Sequence, residues 1–298
     1  MRSGFIAVAG RPNVGKSTLV NALCGGKVAI VSDKPQTTRR RIFGVANGVL
    51  PAKGEQRPEP LDYQLVLVDL PGFQRPLDPL TERMQDTVDH AFEDVDGVMF
   101  VLSARERVGA GDRFIASKVF ALGKPVIVVV NKVDRLKGGH IASQMMAASK
   151  LGAFHALHPV SAVTSDGVRE LRDELAALLP EGPAYFPPDT RTDLTDEEQV
   201  AELVREKALH LTREEVPHAL TVHVDEMDGK VVRADIVVET ESQKQILVGR
   251  KGAMVREIGM RARPEIEALL GHPVFLELHV KVKPHWRRDG AALDRYGL

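Results

Sequence analysis

Apolar and polar positions follow two different rhythms along this chain of 298 residues, and the change between them divides it. Up to about residue 179, short apolar runs recur between longer stretches with helical spacing. Residues 5–9 (Phe-Ile-Ala-Val-Ala) predict a strand and 16–23 a helix. Residues 126–130 (Val-Ile-Val-Val-Val) have no polar alternation, which predicts a central parallel strand covered on both faces. Residues 42–46 and 63–68 predict neighbouring strands able to form a hairpin. The polar, Pro-rich loop 51–60 between them is expected to be exposed, mobile and outside the chemistry. An amphipathic helix over 167–179 runs into a stretch with prolines at 183, 187 and 188, where a helix cannot continue. Beyond it the spacing predicts a helix at 196–211, alternating strands at 219–226 and 231–239, helices at 242–248 and 253–270, and a last strand at 274–282. The pattern as a whole predicts an α/β domain over 1–180, with a mostly parallel sheet and helices on both faces. A linker over 181–190 and an α+β domain over 191–298 complete the chain.

Composition narrows the class. With 43% hydrophobic and 27% charged residues the chain reads as soluble and globular rather than disordered. No apolar run approaches a membrane span, and with the first strand starting so near residue 1 no signal peptide is expected. A net charge of −1 means that a nucleic-acid partner must meet a local basic patch. Cys24 is the single cysteine, so an intramolecular disulfide is excluded and a packed thiol in a reducing compartment is expected. These features together predict a cytoplasmic protein.

Four of the apolar strands lead directly into short motifs with a chemical use. After 5–9 comes Gly10-Arg11-Pro12-Asn13-Val14-Gly15-Lys16-Ser17-Thr18, a phosphate cradle of the form Gly-x-x-x-x-Gly-Lys-Ser/Thr. In such a loop backbone N–H groups turn toward a polyphosphate, the lysine meets the outer phosphates and the hydroxyl ligates Mg2+. After 65–68 comes Asp69-Leu70-Pro71-Gly72, suited to a metal-side carboxylate and an N–H for the terminal phosphate. After 126–130 comes Asn131-Lys132-Val133-Asp134. The Asp134 carboxylate can accept from N1–H and N2–H2 of guanine, a donor pair that adenine lacks. Lys132 can lie across the base, and Asn131 can brace the loop or reach N7. Ser161-Ala162 comes after a short run ending at Val160, and its N–H groups are expected to meet guanine O6. Strand carboxyl ends line one edge of a parallel sheet, so the four motifs converge on one crevice.

In this order the motifs resemble those of a translation-factor-class small GTPase, which implies GTP and GDP as ligands with Ser17, Thr38 and Asp69 around Mg2+. Thr38 is favoured over Thr37 as the switch threonine, because Thr37-Thr38-Arg39 resembles that element in bacterial relatives. Lys16, Thr38, Gly72 and Asn13 are the candidate catalytic group. Phe73 stands where many GTPases carry a water-positioning glutamine, which implies slow, assisted turnover. Asn13 resembles the residue that helps hold a K+ ion in potassium-activated relatives.

The second rhythm carries a different chemistry. Gly249-Arg250-Lys251-Gly252 lies between two predicted helices, inside the order helix, strand, strand, helix, helix, strand. That order resembles a type II KH domain, whose Gly-x-x-Gly loop clamps the backbone of single-stranded RNA. Arg250, Lys251, Arg256, Lys281 and Lys283, with Gly249 and Gly252, are the candidate RNA-binding residues. Trp286 is expected to be packed rather than to stack on a base.

A GTPase domain joined to a C-terminal KH domain is similar to the Era family of bacterial ribosome-biogenesis GTPases. The likeness extends through Gln36-Thr37-Thr38-Arg39, Arg205-Glu206-Lys207 and Val280-Lys281-Val282-Lys283. Leu70, where the family usually has threonine, and the long loop 51–60 depart from its pattern. The resemblance implies GTP hydrolysis, binding near the 3′ end of 16S ribosomal RNA, a role in maturation of the 30S subunit, a monomer and peripheral membrane association. Two rivals stay open: an RNA- or membrane-surface protein that only senses guanine nucleotide, and an ATPase, which Asp134 disfavours.

Overall fold

The computed structural model describes every residue except Pro35, Glu55, Gln56, Pro58, Gln74 and Arg75, and the side chain of Arg135. It parts into two compact units. The first comprises Met1–Ala29, Thr38–Arg75 and Gln85–Asp193, and the second Ile30–Thr37, Pro76–Met84 and Leu194–Leu298.

In the first unit the strands β1 (Arg2–Ala9), β2 (Ile42–Leu50), β3 (Leu61–Asp69), β4 (Gly97–Ser103), β5 (Val126–Asn131) and β6 (Ala156–Pro159) form one sheet in the order β2-β3-β1-β4-β5-β6. β2 runs antiparallel to β3, as the hairpin reading requires, and the other pairings are parallel. The helices of this part of the chain are α1 (Lys16–Cys24), α2 (Pro79–Ala91), α3 (Ala110–Ala121), α4 (Gly138–Ala148) and α5 (Val168–Leu178). β4 and β5 are buried at every position, which is why their sequences read as unbroken apolar runs. The described part of the loop 51–60 turns back on itself through a Lys53–Arg57 bridge, and the rest lies outside the described residues.

Residues 181–190, expected as a linker, are held on the first unit by Gln64. This side chain, 1% exposed, accepts from Tyr185 N–H (2.7 Å) and Phe186 N–H (2.9 Å) and donates to Phe186 O (2.8 Å). Phe5 and Phe43 add edge contacts to Tyr185 and Phe186. The prolines end the helix as expected, but the backbone groups they leave find a partner in β3.

The second unit stacks helices on one face of a three-stranded sheet. Its elements are α6 (Asp196–Leu211), α7 (Val216–Ala219), β7 (Thr221–Asp228), β8 (Val231–Val238), α8 (Glu241–Val248), α9 (Ala253–Leu270), β9 (Phe275–Val282) and α10 (Gly290–Arg295). β7 pairs antiparallel and β9 parallel with β8. Thr195 and Glu198 form a capping box that starts α6, and Thr240 with Gln243 does the same for α8. Each cap stabilises its helix by about 1 kcal/mol. Val232, Ala234, Ile236 and Val238 alternate toward α6 and α9 and build the core with Val200, Val204, Ile258 and Ile266. The opposite face is partly covered by the C-terminal segment: Val237, Trp286, Ala292 and Leu293 pack with Leu80 and Met84. Trp286 is fully buried, its indole N–H donating to Ala219 O at 2.8 Å, so the packed reading holds. The strand expected to start at Ala219 starts at Thr221, because Pro217 opens the short helix α7 just before it. Among the described residues, no helix is long and apolar enough to cross a membrane.

Candidate functional site

The phosphate loop leaves β1 and enters α1 with no side-chain cap on the helix, so its first N–H groups are available to an anion. Two glycines are required by space, and Gly15 by its left-handed backbone as well. A Cβ at Gly15 (φ 96°) would lie 2.5 Å from Asn131 Nδ2, and one at Gly72 would lie 2.9 Å from Pro12. Asn13 takes a left-handed φ of 62°, and its carbonyl accepts from Lys132 Nζ. Val14 is buried, and Thr18 lies half-buried in the first turn of α1. Lys16 is buried and reaches the carbonyls of Gly10 and Arg11 at 3.3 Å. Burial pushes its pKa down to about 8, a shift that the Asp69 charge opposes.

The three candidate metal residues meet. Ser17 Oγ donates to Asp69 Oδ2 at 2.7 Å, and Thr38 Oγ1 lies 2.9 Å from Ser17 Oγ and 3.2 Å from Asp69 Oδ2. The Thr37 hydroxyl instead donates to the Lys34 carbonyl. Asp69 Oδ1 is buried with no hydrogen-bond partner among the described residues, and desolvation pushes the carboxyl pKa up. An orphaned buried carboxylate oxygen is costly unless a cation meets it. Two hydroxyls and a carboxylate converging on one point form a hard-oxygen set suited to Mg2+. Together with the buried Lys16 ammonium beside them, these residues fit a magnesium–nucleotide ligand.

At the base end, Asn131 is a brace. Its Nδ2 donates to Val14 O (3.0 Å), and its Oδ1 accepts from the N–H groups of Lys132 (2.8 Å) and Ala162 (3.1 Å). Lys132 is left-handed (φ 70°), and burial lowers its pKa. Asp134 Oδ1 accepts from Ser161 Oγ at 2.9 Å, so the two base motifs hold each other. The N–H groups of Ser161 and Ala162 are the ones expected to meet guanine O6. They already donate, to Asp166 O (3.0 Å) and to Asn131 Oδ1, so a guanine O6 would have to share or displace those bonds. Phe73 is buried, stacked on Phe92 with ring centroids 5.8 Å apart. It points into the core and presents nothing to a water molecule.

In the second unit the loop Gly249 to Gly252 links α8 and α9. Gly249, Lys251 and Gly252 all have positive φ, and a Cβ at Gly249 would meet Met254 Cβ at 2.8 Å. Arg250 and Lys251 are exposed there. Beside the loop a groove of about 400 Å3 is lined by Gly252, Val255, Arg256, Gly259, Met260, Arg263, Leu276 and Leu278. Of the candidate RNA-binding side chains, Arg256 lies on this groove. Gly259, Met260 and the two leucines were missed, although their signal is in the sequence: 256, 259, 260 and 263 share one face of α9, and 276 and 278 one face of β9. Lys281 and Lys283 are not brought to the loop. By strand parity Lys281 faces away from Leu278, where it pairs with Asp235 at 2.5 Å, and Lys283 pairs with Asp289 at 2.9 Å.

Comparisons with known proteins agree with the fold of both parts of the chain. A family described as 50S ribosome-binding GTPase matches residues 5–132, and one described as KH domain matches 215–287. The GTPase Era of Heliobacterium modesticaldum is 43% identical over 100% of this chain and 97% of its own. That of Streptomyces coelicolor is 42% identical over 100% and 95%. A variant of Aquifex aeolicus Era bound to GDP·AlF4− superposes with a TM-score of 0.91 at 38% identity, covering 100% of this chain and 99% of the other. An Era in complex with MgGDPNP and nucleotides 1506–1542 of 16S ribosomal RNA gives the same TM-score, identity and coverage. With its phosphate-loop, Asn131–Asp134 and Gly-x-x-Gly motifs in place, the chain belongs to the Era family of GTPases.

Proposed function

We propose that this protein is a GTP-driven switch that binds 16S ribosomal RNA near its 3′ end and assists maturation of the 30S subunit. The observation that carries the reading is the make-up of the second unit. Ile30–Thr37, which leads into Thr38, and Pro76–Met84, which comes shortly after Gly72, belong to the same compact body as the Gly-x-x-Gly groove. The segments next to Thr38 and Gly72, the residues proposed to respond to a γ-phosphate, are therefore built into the half that carries the groove. The RNA-bound relative supports the choice of RNA.

In this reading Lys16 and the N–H groups at the start of α1 bind the phosphates, Gly72 N–H meets the terminal one, and Asp134 selects guanine. Ser17, Thr38 and Asp69 would hold Mg2+, which when bound neutralises charge on the β- and γ-phosphates. Phe73 leaves the attacking water without a side-chain guide, so intrinsic turnover is slow, and Asn13 with K+ is proposed to assist. GTP raises affinity for RNA, hydrolysis releases it, and RNA must raise affinity for GTP by the same factor. The protein acts as a cytoplasmic monomer with peripheral contact to the inner face of the membrane.

The test is crosslinking of the protein, locked with a non-hydrolysable GTP analogue, to cellular RNA, with Gly252→Asp as control. Enrichment of the 16S 3′ region is expected. Recovery of no ribosomal RNA, or equal RNA affinity in the GTP and GDP states, would overturn the proposal.

A further inference from the structure

We infer that Arg205, on the first helix of the second unit, is a positioning residue for Thr38. The inference rests on the reading of Thr38 as a metal-side ligand of the nucleotide. Within the second unit the segment Ile30–Thr37 is bound to α6 along its length. Ile30 is buried in the core beside Val200 and Val204. Val31 N–H donates to Glu206 Oε1 at 2.9 Å, and the Val31 carbonyl meets His210 Nε2 at 2.9 Å. At the other end of the segment, Arg205 Nη2 donates to the carbonyl of Thr37.

That last bond reaches far because of peptide geometry. The carbonyl oxygen of Thr37 and the Cα of Thr38 belong to one rigid plane, with no rotatable bond between them. A guanidinium that fixes the oxygen therefore fixes the point from which the Thr38 hydroxyl projects toward Ser17 and Asp69, at 2.9 and 3.2 Å. The Thr37 hydroxyl, bonded to the Lys34 carbonyl at 2.7 Å, closes the turn from the other side.

Arg205 is built for this use rather than for packing. It is 3% exposed, in a run with Glu206 and Lys207 of which no member exceeds 8%. Its Nε and Nη2 bond Glu202 at 2.9 and 2.7 Å, and Nη1 is buried with no partner among the described residues. Burying a guanidinium with one arm unsatisfied destabilises a helix that could have carried an apolar residue there. The fork geometry explains the choice of residue, since a single ammonium cannot hold Glu202 along one edge and aim at Thr37 in a fixed direction. The groove-bearing half of the protein thus holds the residue next to the metal-side threonine, and Arg205 acts through that residue without touching the nucleotide.

The test uses the full chain. Arg205→Ala, Arg205→Lys, Thr38→Ala and the double variant Arg205→Ala/Thr38→Ala are compared for affinity toward Mg·GDP and toward a non-hydrolysable Mg·GTP analogue. The Mg2+ concentration for half-maximal analogue binding is read alongside. Arg205→Ala is expected to weaken the analogue roughly 10- to 100-fold, the range for a charge-assisted hydrogen bond, while GDP affinity stays within about threefold. Arg205→Lys, which keeps the charge but not the fork, is expected to recover only part of that loss. In the Thr38→Ala background, removing Arg205 should cost little more. Equal loss for GDP and analogue, or full additivity with Thr38→Ala, would overturn the inference. If Thr38→Ala alone leaves the Mg2+ requirement unmoved, the ligand reading of Thr38 falls first and the inference falls with it.

Discussion

Replacing Asp134 by asparagine changes the base the protein prefers without loosening its fold. Asp134 lies in the short turn Val133–Arg135 after β5, with Oδ1 held by Ser161 Oγ at 2.9 Å. A carboxylate there can accept from both N1–H and N2–H2 of guanine. Asparagine keeps one acceptor and sets an NH2 donor against a guanine donor. One charge-assisted bond is lost outright and the other becomes neutral, a cost of about 2–4 kcal/mol or roughly 30- to 1,000-fold in affinity. The Ser161 hydroxyl can still donate to the remaining oxygen, so unfolding free energy should change by less than about 1 kcal/mol. Xanthine carries an oxygen where guanine has N2–H2, and the new amide can donate to it, so preference should invert toward xanthosine nucleotides. Displacement of a fluorescent nucleotide by GDP and by XDP measures both effects, with urea unfolding as the control. GDP affinity within about threefold of wild type, or parallel loss of both nucleotides, would refute the placement of Asp134 at the base edge.

Other residues give equally direct tests. Arg256→Ala should weaken single-stranded RNA binding and lower its log–log salt slope by about 0.7, whereas Lys281→Ala, paired with Asp235 on the far face of the sheet, should leave both unchanged in a filter-binding titration. Trp286→Phe strands the Ala219 carbonyl and thins the cluster with Leu80 and Leu293; urea denaturation should show a loss of about 2 kcal/mol. Burial pushes the Cys24 thiol up to about 12 from 9.0. Above pH 9 the unfolded chain therefore loses that proton first, the folded state binds more protons, and stability falls as pH rises toward 12. Between pH 8 and pH 10 Cys24→Ser should lose about 1 kcal/mol less than wild type in urea titrations, and the native thiol should react slowly with Ellman's reagent at pH 8.

Most of the nucleotide site was legible because its chemistry is local. Each motif sits at the end of an apolar strand, and a parallel sheet brings strand ends together whatever lies between. The tie between Asn131 and Val14 was not legible, since it joins residues more than a hundred positions apart through a side chain with several possible partners. Lys281 could have been placed correctly: Leu276, Leu278, Val280 and Val282 alternate with it on β9, and strand parity alone sends it to the other face. Residues 181–190 read as a linker because prolines end helices, but nothing in their own sequence announces the amide of Gln64 that satisfies Tyr185 and Phe186. The attachment of residues 30–37 and 76–84 to the second unit is of the same kind. It depends on Glu206, Arg205 and Trp286, none of which has a local signal pointing back to those segments.

That discontinuous second unit sets an order of events during synthesis. Leu80 and Met84 emerge about 200 residues before Trp286 and Leu293, their partners in the same cluster. At about 5–20 residues per second the gap is roughly 10–40 s. Over that interval β1 to β6 can complete their sheet, while the segments on either side of Thr38 and Gly72 still await the helix and tail that will hold them. A nascent chain can therefore own a finished phosphate loop long before the segments next to Thr38 and Gly72 are held in place.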